Sequence, residues 1–173
     1  PYGTRTITED QFSGRNVYRV FIPKSVEKIE DSAFEGCENL REVLFEEGSK
    51  LKVIERNAFK NCSSLRNIQL PDCVEEIGLD AFNSSGLESF VAPPSLRVLR
   101  QSAFQDFKNL KYVKLNEGLE VLGTDEYDDD GEMLCGVFEE SSVKNVDLPF
   151  TLKRIEYRAF ENCYNLISIE VPQ

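Results

Sequence analysis

The chain has 173 residues, 40% of them hydrophobic, enough to bury one sizeable core. No run of eighteen apolar residues occurs, so no membrane-spanning helix is predicted, and Pro1-Tyr2-Gly3-Thr4 lacks the basic and apolar regions of a signal peptide. The net charge of −11 is concentrated: residues 115–143 carry ten acidic side chains and no Lys or Arg, leaving −1 elsewhere, and no basic track for nucleic acid stands out.

A short phrase recurs from the amino terminus onward. A small residue precedes Phe, a cysteine follows three residues later, and apolar residues then run to a proline. A worn copy stands at Gln11-Phe12; fuller ones begin at Ala33-Phe34, Ala58-Phe59, Ala81-Phe82, Ala103-Phe104, Val137-Phe138 and Ala159-Phe160. The successive Phe residues lie 22, 25, 23, 22, 34 and 22 positions apart. A period in the low twenties is too short for a helical-hairpin repeat and fits one coil of a solenoid. The spacing of 34 marks an insertion of about a dozen residues at roughly 123–135. Because the chain opens inside a worn repeat, residues 1–173 are expected to form a single repeat domain belonging to a longer protein.

Within each unit the apolar residues predict one short strand. Leu65, Ile68 and Leu70 end at Pro71, with equivalents at Leu110, Val113, Leu115 and at Val143, Val146, Leu148. The last two of each set alternate with period two, and Pro23, Pro71, Pro93, Pro149 and Pro172 stop the strand by removing a ladder donor. The fold class is therefore a mainly β or α/β-type repeat solenoid of about seven units of 22–25 residues, its strands stacked into one long parallel sheet. A second apolar pair in each unit, such as Val26 with Ile29 or Val74 with Ile77, is expected to point inward from the other side of the coil. Phe34, Phe59, Phe82, Phe104, Phe138 and Phe160 are expected to stack in a central column.

The phrase from Ile54 to Pro71, Ile-x-x-x-Ala-Phe-x-x-Cys-x-x-Leu-x-x-Ile-x-Leu-Pro, resembles the BspA-like class of leucine-rich repeat. The likeness covers nearly the whole chain; it departs at Phe107 and Ser141, which replace the cysteine, at Gly86, which compresses a unit, and at the insertion. The resemblance implies a curved, right-handed leucine-rich-repeat solenoid. It also implies a secreted or surface protein of bacteria or some protists, several of which adhere to host proteins or other cells.

Few residues invite chemistry. The chain has no histidine, which removes the usual partner of a Ser or Cys nucleophile and the commonest metal ligand. No carboxylate pair singles itself out, so no enzymatic role and no cofactor are expected. The five cysteines, Cys37, Cys62, Cys73, Cys135 and Cys163, show no redox or zinc spacing. They read as buried thiols packed beneath a turn, with a Cys37–Cys62 disulfide between adjacent coils left open. Asp125, Asp128 and Asp130 beside Gly131 are weak candidate calcium ligands. The helix-loop-helix template fails, however, because Val137 stands where a carboxylate is wanted, and a solvated loop is the plainer reading. The sequons at Asn61 and Asn83 fall where the repeat itself favours small polar residues and are taken as chance.

The exposed face of the strands is the candidate binding surface, since solenoids bind through an extended surface built one coil at a time. Arg19 and Phe21, Glu42 and Leu44, Asn67 and Gln69, Ser89 and Val91, Tyr112 and Lys114, Asn145 and Asp147, and Ser168 and Glu170 alternate with the buried set. Phe21, Leu44, Gln69, Val91, Tyr112, Lys114 and Asp147 are the candidate ligand-binding residues, with the apolar members as anchors. A protein partner is expected, in the extracellular case a host or matrix protein, with no nucleic acid and no membrane insertion by this region. A spacer that binds nothing itself and an intracellular scaffold are the alternatives.

Overall fold

The structure, a computed structural model, describes residues 3–124 and 135–171. Among them are thirteen short parallel strands and no helix. The strands fall into two sets, because every coil contributes one strand to a back ladder and all but the third contribute one to a front ladder.

The front ladder holds β2 (Arg19–Ile22) and β4 (Glu42–Phe45) as one pair, and β7 (Ser89–Val91), β9 (Tyr112–Lys114), β11 (Asn145–Asp147) and β13 (Ser168–Glu170) as a second group. These are the strands that the Leu-x-x-Val-x-Leu pattern predicts. Their register joins equivalent positions of successive units: Phe21 faces Leu44, and Val91, Lys114, Asp147 and Glu170 follow one another. The front ladder is interrupted once, at the third coil, where residues 67–70 form no strand. The single long sheet expected from the pattern is thus divided in two.

The back ladder was not legible as strands. It is built from two-residue pieces: β1 (Thr6–Ile7), β3 (Lys28–Ile29), β5 (Val53–Ile54), β6 (Glu76–Ile77) and β8 (Val98–Leu99), then β10 (Val121–Leu122) with β12 (Arg154–Ile155). The second residue of each pair is the expected inward one, and Ile29, Ile54, Ile77, Leu99 and Leu122 are all buried. Between β8 and β10 the ladder thins to a bond from Gly123 N–H to Leu99 O of 3.2 Å.

A third set of bonds runs through the Ala-Phe turns. Phe12, Phe34, Phe59 and Phe82 donate their N–H to the carbonyls of Ala33, Ala58, Ala81 and Ala103 in the next coil, at 2.7–3.1 Å; Phe104 and Phe138 continue the series to Val137 and Ala159. The residue two before Phe has positive φ at Asp10, Ser32, Asn57, Asp80, Ser102 and Arg158. The residue two after does so at Gly14, Gly36, Asn61, Ser84, Asp106, Glu140 and Asn162. Short polar side chains and glycine tolerate this left-handed region best. With these turns the amide two residues to either side of Phe points along the same axis, as in Ser32 to Arg56 O and Gly36 to Lys60 O. After the insertion the position two before Phe138 is Gly136, where a Cβ would sit 1.9 Å from Arg158 O, so only glycine allows the coils to close there.

The rings then stack. Phe12, Phe34, Phe59, Phe82, Phe104, Phe138 and Phe160 form one column with centroids 5.2–5.6 Å apart and planes within 18° of parallel. The expected column is present and extends one ring further, to Phe12. Phe107, at a cysteine position, is buried with its ring 5.5 Å from Phe104, and Phe90 lies 4.5 Å from the same ring.

Burial of each inner ring is worth roughly 2–3 kcal/mol, and its removal leaves a cavity besides. Phe59→Ala is expected to lower unfolding free energy by about 3–5 kcal/mol in urea titration. Phe160 is only partly buried, in the last coil, and Phe160→Ala should cost distinctly less. Equal losses would show that the column is not what places the rings.

Candidate functional site

Alternation along the front strands places each expected residue outward. Phe21 and Val91 are each 59% exposed and Leu44 is 40% exposed, while Ile22, Val43, Phe90 and Val113 between them are buried. The candidate residues fall into two groups on either side of the break. Phe21 and Leu44 are register neighbours on β2 and β4, beside the Arg19–Glu42 ion pair of the same strands. Val91, Lys114 and Asp147 share one register line on β7, β9 and β11. Tyr112 joins this second group diagonally: its hydroxyl donates to Asp147 Oδ2 at 2.6 Å. That bond holds the Tyr112 phenol above its usual pKa, since ionisation would lose it and place a second negative charge beside the carboxylate. Gln69 belongs to neither group and lies exposed in the non-strand segment between them.

The segment 67–70 is unusual in its main chain. Among the described residues, none of its N–H or C=O groups makes a backbone hydrogen bond to either neighbouring coil, although Glu88 N–H still reaches Arg66 O at 3.0 Å. The preceding turn differs in length from its equivalents. Phe45 and Leu51 are six positions apart, whereas Leu70 and Val74 or Leu115 and Leu119 are four apart. The longer turn passes through Gly48 with φ of 74° and is tied to the third coil where the Cys73 thiol donates to Ser49 O and Leu51 O. Two clefts flank the segment. One, of about 430 Å³, lies between Phe45–Ser49 and Gln69–Cys73. The other, of about 450 Å³, lies between Asn67–Leu70 with Asp72 and the strand from Ser89 to Pro94. Sequence reasoning found Gln69 and Val91 by alternation but missed Glu46, Glu47, Asp72 and Pro94; the 25-residue spacing between Phe34 and Phe59 was the signal available.

The cysteines have a structural role. Cys37, Cys62 and Cys163 donate their thiols to the carbonyls of Phe12, Phe34 and Phe138 in the preceding coil, at 2.9–3.2 Å. Cys73 donates to Ser49 O and Leu51 O, each at 3.1 Å. All five thiols are free, so the Cys37–Cys62 disulfide does not form. Burial raises the pKa of Cys37 and Cys62, and takes Cys163 up to about 11. Asp125, Asp128 and Asp130 lie outside the described residues, and among the described ones no group of acidic or thiol side chains could hold a metal ion.

A family model for the BspA type leucine rich repeat region matches residues 5–130 and 134–173, in six copies. A leucine-rich repeat protein from T. pallidum is 30% identical, with a TM-score of 0.80, over 93% of this chain and 71% of that one. A leucine-rich repeat protein from Bacteroides ovatus is 28% identical with a TM-score of 0.80, over 96% of this chain and only 41% of that one. A leucine rich cell surface protein from Faecalibacterium prausnitzii has a TM-score of 0.78 at 24% identity, again over 41% of its length. No curated protein matches the chain.

Two titrations test the local chemistry. Asp147→Asn should bring the Tyr112 phenol back down toward its ordinary value, seen as an ultraviolet titration step displaced to lower pH; an unmoved step would mean that the bond does not form. The buried thiols keep their protons in the folded state beyond the pH at which unfolded cysteine ionises. Their contribution is complete below about pH 9 and is lost as pH rises through the folded value, about 11 for Cys163. Urea midpoints should therefore fall across that window, and less so in Cys163→Ala; identical falls in both proteins would refute this.

Proposed function

The chain belongs to the BspA-type leucine-rich repeat family, and from that premise we propose that it is a non-catalytic protein-binding module of a secreted or cell-surface protein. The front strands are the binding face in this reading. The observation that carries it is the outward display of Phe21 and Leu44, large apolar side chains adjacent in register on a face with no structural need of them. Exposed aromatic and aliphatic groups amid polar neighbours are what interfaces use as anchors. The frame holding them is fixed before any partner arrives, because ring stacking and the bonds through the Ala-Phe turns tie each coil to the next, so little ordering entropy opposes association. Val91, Tyr112, Lys114 and Asp147 supply a second, more polar patch on the same face.

The relatives support the setting. One structural neighbour is described as a cell surface protein, and we place this chain in the same kind of location, with adhesion to host or matrix protein as its role. The chain spans about two fifths of the length of two of the proteins it matches, at 41% each. The reading therefore concerns this repeat domain alone.

The test is saturable binding of the 173-residue protein, shown to be folded by circular dichroism, to a panel of immobilised matrix and serum proteins at physiological salt. Replacing Phe21, Leu44 and Tyr112 together by Ala should weaken binding at least tenfold, about 1.4 kcal/mol, with folding intact because all three point outward. Undiminished binding by the triple variant would remove the strand face from the mechanism.

A further inference from the structure

We propose that the interruption of the front ladder at the third coil is a docking site for an extended polypeptide segment bearing basic side chains. The inference rests on the reading that the front face binds protein, and it adds where on that face and what form of chain. Three independent observations converge there.

The first is the backbone. Every buried or half-buried amide needs a partner, and strand positions in the other coils find theirs across the ladder. The N–H and C=O groups of 67–70 find none among the described residues. Ile68 and Leu70 are only half-buried where their equivalents Val113 and Leu115 are buried, so water reaches these groups. A row of solvated backbone donors and acceptors in extended conformation is the surface that strand addition uses, because an incoming extended chain carries the complementary row.

The second is room. The clefts of about 430 and 450 Å³ flank this segment on its two sides. Behind them the coils are held by parts that do not depend on the front ladder. Phe59 stacks on Phe34 and Phe82 at 5.2 and 5.3 Å, and the back ladder runs unbroken through β3, β5, β6 and β8. The opening is therefore built into the resting fold and need not be formed on binding.

The third is the lining. Asn67 and Gln69 project exposed amides that have no hydrogen-bond partner among the described residues. Ile68, Leu70, Val91, Pro93 and Pro94 give the second cleft an apolar wall. Glu46, Glu47 and Asp72 lie along the clefts and no Lys or Arg lines either one. Lys24 pairs with Glu46 at 3.7 Å, whereas Glu47 and Asp72 have no ion-pair partner among the described residues. Such a lining suits alternating basic and apolar side chains.

The probe is a fluorescein-labelled hexapeptide of alternating Val and Lys, followed by fluorescence anisotropy at physiological salt, with an alternating Val and Glu peptide as control. The wild-type protein should bind the first saturably and the second at least tenfold more weakly. Deleting Glu47 and Gly48 together gives the turn the length found in other coils and should close the gap, with at least a tenfold loss of affinity. Gln69→Pro removes one amide that has no intramolecular acceptor, and Asp72→Asn removes a charge; each should weaken binding with the circular dichroism spectrum unchanged. Hydrogen exchange gives a readout independent of any variant: amides 67–70 should exchange faster than those of 112–114 in the free protein and slow when peptide is added. The proposal is overturned if the peptide does not saturate, if the deletion and both substitutions bind it as wild type does, or if protection appears elsewhere. Protection of 67–70 by a soluble oligosaccharide and not by the peptide would overturn it equally. Should the gap variants keep full binding to a captured protein partner while the Phe21, Leu44 and Tyr112 replacements lose it, this inference fails and the strand-face reading stands.

Discussion

The turn around each Ala-Phe pair sets the rise of the solenoid. Its amides bond to the next coil at Phe and at the flanking left-handed positions, and its ring lies flat against the ring of the neighbouring coil. Both contacts demand the same separation of about 5 Å, close to the spacing at which parallel strands pair. Once the turns stack, the front and back strands are brought within bonding distance without help from their own sequence. This explains how a back ladder can consist of pieces two residues long, which would have no stability alone. It also explains how residues 67–70 can lose their partners while the coils above and below stay in register.

The interruptions of the two ladders are offset along the axis. The front one opens at the third coil, where the back ladder is continuous; the back one thins between β8 and β10, where β7, β9 and β11 remain joined in front. The ring column passes through both places without a gap. Irregularities that would weaken a single sheet are thus each spanned by intact structure on another side. Such an arrangement lets a repeat protein carry a local departure, such as a longer turn or an insertion, without dividing into separate bodies.

Much of this was legible in the sequence because the dominant physics is periodic. The recurrence of Phe fixes the coil, alternation in Val-x-Leu fixes which residues of a front strand face outward, and Phe21 and Leu44, each four residues beyond the apolar residue that opens its set (Val17 and Leu40), are neighbours. The back strands were hidden because two residues cannot display a period. The left-handed turn positions have a cue at Asn57, Asp80 and Ser32, yet Glu140 and Arg158 occupy the same conformation with no propensity for it, imposed by the stack on either side. The bond between Tyr112 and Asp147 joins residues 35 apart across the insertion and follows only from register. The break at 67–70 was the hardest to foresee: it accompanies a change in chain length in one turn, and it lies in pairing in space with two other coils.

The turn bonds also have a direction. From Phe12 to Phe138 the N–H belongs to the earlier coil and the C=O to the later one, whereas beside the back strands the order is reversed, as from Glu30 N–H to Ile7 O and from Glu55 N–H to Ile29 O. Aligned peptide dipoles add, as they do along a helix. In the turn column the positive ends point toward the carboxyl-terminal coil, the reverse of an α-helix, and the bonds beside the strands point the other way. The coil therefore carries opposed rows of peptide dipoles on its different sides, which offset one another along the axis, so the sign of charge each end face favours is left to its side chains.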